Sequence, residues 1–211
     1  MNRRLLGAVA AISALLMAIG LLVVDRPLAE WVRASGLEQA RVFADGLAVL
    51  DTLTGMHVWY WLAGGVALAI GMGGLAWQRT ARWPRALLAA ALVQYLCIGT
   101  MMLGKSHFGR LRPQQVLDGG DWAHLWFAGG GSFPSGHSAF YFGLLLPLAA
   151  ACPIRWLRAL LLTIPLYAVL ARVDLAKHFL SDVSASALMA ALYALLLATL
   201  ARRWLPAPYM R

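Results

Sequence analysis

Apolar residues run through this chain in long uncharged blocks, not in the short alternations or i, i+3, i+4 stripes of a water-soluble domain. A transmembrane helix needs about 20 mainly apolar residues. Counting uncharged stretches between successive charges predicts five good spans and one short one. Leu5–Val24 lies between Arg4 and Asp25, roughly Val58–Trp77 lies inside the uncharged gap from Asp51 to Arg79, and Ala86–Leu103 lies between Arg85 and Lys105. Ser138–Ile154 follows a long loop, Trp156–Ala171 is the short span, and Val183–Ala201 is the last. The expected fold is all-α: a polytopic membrane bundle of six transmembrane helices, forming one domain over residues 1–211 with no internal repeat or linker. In residues 25–51, Leu28, Trp31, Val32, Val42, Phe43, Leu47 and Leu50 alternate with charges, which predicts a helix lying in the membrane interface as an outer loop. The first span reads as a retained anchor and not a cleaved signal, because its 20 apolar residues are long for a signal and no small-x-small site closes it.

Composition sharpens this picture. Of the 211 residues, 61% are hydrophobic and 13% charged, about half the charged share of a soluble domain. That excludes a water-soluble enzyme, a disordered chain and a disulfide scaffold; Cys97 and Cys152, both in apolar runs, read as free buried thiols. The net charge of +9 does not point to nucleic acid, because the basic residues form short clusters between apolar segments with no aromatic-interleaved stripe. Alternate loops place ten basic residues and no acid on one side: Arg3, Arg4, Arg79, Arg82, Arg85, Arg155, Arg158, Arg202, Arg203 and Arg211. The other side holds eight basic residues and all nine acids, so the positive-inside rule puts both termini inside. Trp59, Tyr60 and Trp61 at one end of the second span, and Trp77 and Trp83 at the other, fit aromatic belts.

Ionisable groups at the edge of a membrane span mark function by default. In this topology four helix ends bring Lys105, His137, Arg172, His178 and Asp182 to one outer face. Arg112 and Arg172 offer planar forks that match phosphate oxygens, and Lys105 adds a compact charge. Pro134-Ser135-Gly136 stands where the fourth span begins, so backbone N–H groups and the positive helix end can hold an anion. His178 and Asp182, four apart, share a helix face, and the carboxylate can hydrogen-bond the imidazole and hold its tautomer. His57, His107 and His124 read as ordinary loop histidines, and Asp118, Asp121 and Asp174 as solvated loop charges. Arg110 reads as a substrate-headgroup contact or a structural group. No third ligand at suitable spacing makes His178 and Asp182 a metal site, so neither metal nor cofactor is expected.

Together, Lys105 with Arg112-Pro113, then Pro134-Ser135-Gly136-His137, then Arg172, His178 and Asp182 resemble the type 2 phosphatidic acid phosphatase family, which shares its site with vanadium haloperoxidases and glucose-6-phosphatase. The family's pattern is K-x6-R-P, P-S-G-H and S-R-x5-H-x3-D; one position departs, since Ala171 stands in place of the third motif's serine. The resemblance implies a metal-independent phosphatase in which His178 attacks phosphorus, Asp182 orients it, and His137 protonates the leaving oxygen and later activates water. It assigns Lys105, Arg112 and Arg172, with Ser135 and the Gly136 backbone, to the phosphoryl oxygens. The partners it implies are a lipid phosphate substrate and membrane lipids, with no nucleic acid and no obligate protein partner. The implied location is a bacterial plasma membrane, with the site on the periplasmic or extracellular side. Candidate substrates are undecaprenyl pyrophosphate, phosphatidylglycerol phosphate, phosphatidate and lipid A phosphates. The loop Gln114–Ser132, with Trp122, Trp126, Phe127 and the Gly129–Gly131 run, is expected to shape the headgroup pocket as a movable lid. Competing readings are a lipid phosphotransferase built on the same site, a haloperoxidase variant and an anion-binding transporter.

Overall fold

A computed structural model describes residues 1–37 and 41–204, and of residues 202–204 the backbone alone. The basic positions Arg202, Arg203 and Arg211 therefore have their side chains outside the described residues. The helices are α1 (Arg3–Ile19), α2 (Asp25–Ser35), α3 (Arg41–Thr54), α4 (Leu62–Trp77), α5 (Arg82–Phe108), α6 (Pro113–Leu117), α7 (Gly136–Ala151), α8 (Arg155–Asp174) and α9 (Leu180–Trp204). A π-helical turn, Gly20–Val24, joins α1 to α2 without a break, and no strand occurs among the described residues.

α7 is the hub, packed against α5, α8 and α9, while α1 lies along α9 and α4 along α5. Its residues suit that place. Gly136, Ala139, Phe140, Tyr141, Gly143, Leu146, Ala149 and Ala150 are all buried, so the helix is covered on every side. A Cβ at Gly143 would stand 2.9 Å from the Gln94 Cα, so only glycine lets α5 approach this closely. α4 meets α5 through a stripe of small residues, Gly64, Ala67, Gly71 and Gly74. Outside this packed interior the helices are oily: Leu22, Ile70, Leu103, Leu170 and Leu196 are all more than half exposed. Such a surface is soluble only in lipid, which makes this a membrane protein.

Four helical stretches are long and apolar enough to cross a membrane: Arg3–Ser35, Arg82–Leu117, Arg155–Asp174 and Leu180–Ala201. The expected fifth span is thus not the short one; α8 has 20 residues because Arg155 and Arg172 to Asp174 join its two ends. The short members are α4 and α7, with 16 residues each. At 1.5 Å per residue they are about 24 Å long, under the ~30 Å hydrocarbon core. The segment expected as an outer loop, 25–51, carries α2 and most of α3 among its described residues. On α3, Leu47 is buried and Phe43 stacks on Tyr167 of α8, while Val42, Val49 and Leu53 remain exposed on other faces. Cys97 is a free, buried thiol, but Cys152 is only partly buried, at the loop after α7.

Candidate active site

The turn between α8 and α9 is closed by the Arg172 carbonyl, which accepts from the N–H groups of Lys177 and His178 at 3.1 Å each. This puts Arg172 and His178 side by side. Asp182 stands in the first turn of α9 and its Oδ2 accepts from the Phe179 N–H at 2.8 Å, a capping contact that places the carboxylate beneath the imidazole. The same oxygen accepts from Ser132 Oγ at 2.5 Å, and Oδ1 accepts from Arg110 at 2.5 Å. The expected hydrogen bond from His178 to Asp182 is replaced by another. His178 Nδ1 lies 2.8 Å from the Ser132 carbonyl and 3.7 Å from Asp182 Oδ2, an ion-pair distance beyond hydrogen-bond range. Asp182 therefore acts on the ring partly through Ser132, which it holds. A carbonyl can only accept, so Nδ1 carries the proton and Nε2 keeps its lone pair. Burial pushes the His178 imidazole down to about 4, with Arg172 and Lys105 acting in the same sense and Asp182 opposing.

Two cations, Lys105 and Arg172, act on this histidine, and a third, Arg112, acts on both of them. Lys105, near the end of α5, donates to the Gly131 carbonyl and lies in the fields of Arg112, Asp182 and Arg172. Arg172 lies in the fields of Arg112, Tyr60 and Asp51, and its buried Nε has no partner. Among the described residues, none of the three forms an ion pair. Like charges gathered without neutralising partners form a receptor for a multiply charged anion. Ser135 and Gly136 are buried at the start of α7, where Ser135 accepts from the Ser138 N–H. The Gly136 and His137 N–H groups have no acceptor among the described residues, which leaves the positive end of α7 open toward an anion. Ser135 N–H donates to the Asp182 carbonyl at 3.2 Å, tying this helix end to α9.

His137 has a partner that the sequence analysis missed. Its Nε2 lies 3.0 Å from Asp51 Oδ2, on α3, and Tyr141 donates to Asp51 Oδ1 at 2.7 Å. Burial would raise the Asp51 carboxyl, but the bonds from His137 and Tyr141 and the charge of Arg172 outweigh it and hold the carboxyl below its usual range. Tyr60 also belongs here and not to a lipid-facing belt: a Cβ on Gly136 would stand 3.3 Å from its hydroxyl. Trp59 and Trp77 remain exposed, as belt residues should.

Arg110 is fully interior, 2% exposed, and so does not reach a headgroup. It binds Asp182 and Ser181 through one nitrogen and Asp25 through the other, and it stacks between Trp126 and Phe179. Asp25 in turn accepts from the Ser181 N–H at 3.0 Å and from its hydroxyl. The loop expected to move as a lid is stapled to the end of α5. Leu111, Phe127, Ala128, Gly130 and Ser132 all make backbone hydrogen bonds across it, and Trp126 packs on Phe108 and Phe133. Asp174 is buried at the end of α8 with Oδ2 unpartnered, not a solvated charge, whereas Asp118 and Asp121 are exposed. His57, His107 and His124 are exposed and outside the cluster. Ala171 is fully buried in the core, one residue before Arg172.

No signal in the chain pairs Asp51 with His137 or Asp25 with Arg110, although each acid stands directly beside a long uncharged run. No curated protein and no solved structure gives a significant match to the chain. A family model described as the PAP2 superfamily matches residues 83–206, more than half of the chain. That stretch carries all three motifs, with Lys105, Arg112 and Arg172, and the chain belongs to the PAP2 superfamily.

Proposed function

We propose that this protein is a metal-independent phosphatase that hydrolyses a phosphate monoester or pyrophosphate of a membrane lipid through a phosphohistidine. Membership of the superfamily implies action on phosphate esters. The observation that carries the finer reading is a buried histidine with Nδ1 tied to a carbonyl, beside Arg172 and Lys105, which form no ion pair among the described residues. In this reaction the Nε2 of His178 attacks phosphorus while Lys105, Arg112, Arg172 and the N-terminus of α7 stabilise charge on the equatorial oxygens. His137 gives a proton to the departing oxygen and then takes one from the attacking water. A lipid is favoured as substrate because the site caps helices whose outer faces are apolar, so a headgroup can enter while the tails stay in lipid. Read as six crossings, with α4 and α7 as short members, the chain would carry its site on the outer face of a bacterial plasma membrane, a reading that the positive-inside rule supports. The candidate lipids remain undecaprenyl pyrophosphate, phosphatidylglycerol phosphate, phosphatidate and lipid A.

The test is phosphate release by the detergent-solubilised protein, with a chelator present, from those four lipids, for wild type and His178→Ala. Release that the variant loses, and that orthovanadate inhibits as a five-coordinate mimic, is the expected outcome. A strict Mg²⁺ requirement, or turnover that survives in His178→Ala, would overturn the mechanism. Release that needs an added lipid alcohol as acceptor would identify a phosphotransferase.

A further inference from the structure

We propose that Asp51 is the positioning residue of the acid–base histidine, holding the ring and tautomer of His137 so that the two side chains work as a couple. The inference rests on the phosphatase reading above. Asp51 comes from α3, in a segment before the 83–206 stretch that the family model matches. Its two carboxylate oxygens are divided between two residues of α7 that are one turn apart, His137 at 3.0 Å and Tyr141 at 2.7 Å. Thr54 Oγ1, one turn along α3, lies 3.3 Å from the same tyrosine hydroxyl. The pair is largely dry, with side-chain exposures of 16% for His137 and 17% for Asp51.

The chemistry follows from which nitrogen is occupied. A carboxylate accepts, so Nε2 of His137 carries a proton in the resting ring, and Nδ1, with no partner among the described residues, is the nitrogen left for substrate. The other charges acting on His137 are both positive, Arg172 from α8 and Lys105 from α5. Asp51 is therefore the group that makes a protonated His137 tolerable between two cations. The first half-reaction starts from His137 protonated on both nitrogens. A bond forms from His178 Nε2 to phosphorus, the phosphorus–oxygen bond to the lipid breaks, and the departing oxygen takes the proton from His137 Nδ1, leaving the ring neutral with its Nε2 proton hydrogen-bonded to Asp51. In the second, His137 Nδ1 takes a proton from water, the water oxygen bonds to phosphorus, and the phosphorus–nitrogen bond breaks. Its electron pair returns to His178 and inorganic phosphate leaves. Asp51 keeps its negative charge throughout.

The experiment compares first-turnover rates of wild type, Asp51→Asn, Asp51→Glu and His137→Ala. One substrate is the lipid phosphate of the panel above that turns over fastest; the other is p-nitrophenyl phosphate, whose leaving group departs without a proton. Asp51→Asn should slow the lipid reaction about 10²–10⁴-fold, the usual worth of general acid–base catalysis, and the aryl reaction by less than about tenfold. Asp51→Glu should restore part of the loss, and in the His137→Ala background Asp51→Asn should cost no more than about twofold, because the two act as a unit. Vanadate affinity, which reports the phosphate cradle, should persist in Asp51→Asn and so certify its fold. Equal losses on both substrates, or loss of vanadate binding in parallel, would reduce Asp51 to a scaffold residue and overturn the proposal. Full activity in Asp51→Asn, with His178→Ala dead, would overturn it while leaving the phosphatase reading intact. Wild type and His178→Ala behaving alike would overturn both.

Discussion

The surroundings of His178 suit the nucleophilic attack proposed above. Its Nδ1 is spent on the Ser132 carbonyl, it is buried, and Arg172 and Lys105 oppose any positive charge on it. With its pKa held near 4, below the usual value of about 6.5, the folded protein favours the neutral ring. The contribution of this group to stability is therefore complete above about pH 6.5 and is lost as pH falls through about 4. Nitrogen-15 NMR of labelled histidine, assigned by comparison with His178→Ala, should find a neutral Nδ1–H ring from about pH 8 down to about pH 5. A titration midpoint near 6.5 would contradict the burial and the fields described. Arg172 makes the complementary point. An orphaned, buried guanidinium nitrogen has a desolvation cost, and the phosphate contact proposed above would offset it.

Three segments meet at Arg110: the start of α2, through Asp25; the turn just after α5, which carries Arg110; and the start of α9, through Ser181 and Asp182. Gly20, in the π-helical turn, permits this meeting, since a Cβ there would lie 2.8 Å from Asp25 Oδ1 and 2.9 Å from Ser181 N. Arg110→Ala would leave two buried carboxylates facing each other without their cation. The expected loss is about 3–5 kcal/mol, the usual cost of breaking a buried pair from one side. Thermal unfolding in detergent measures it. Arg26→Ala is the control: its pair with Glu30 is exposed, and such pairs contribute about 0–1 kcal/mol. Similar shifts for the two variants would mean that the clamp does not hold the three helix ends. The same clamp holds the second half of the 114–132 loop, because Trp126 lies on the Arg110 guanidinium and the backbone of residues 125–132 is bonded to residues 108–111.

For the molecule as a whole, the open question is how the two short helices sit in the bilayer. In a background without Cys97 and Cys152, a cysteine at exposed Trp59 should react with a membrane-impermeant maleimide added to intact cells, and one at exposed Gln78 only after permeabilisation. These positions flank α4. Labelling of both from outside would mean that α4 does not cross, and the reversed pattern would turn the site inward. Much of this architecture was legible in the chain. The lipid-facing character and the helical blocks depend on neighbours along the sequence and on the solvent, and those are written locally, whereas the helix face expected to join His178 and Asp182 is not formed, because His178 lies in the turn before α9. The pairing of polar groups is not local. His137 and Asp51 are 86 residues apart, and His178 and the carbonyl that fixes its tautomer are 46 apart. Such partners are chosen by how closely helices can approach, which small residues such as Gly143 and Gly20 decide. The sequence by itself therefore determined that the charged residues of the three PAP2 motifs stand at the ends of apolar helices in a membrane protein. The tertiary structure alone decided which carboxylate serves which histidine, because hydrogen bonds reach only about 3 Å and must be closed across separate helices.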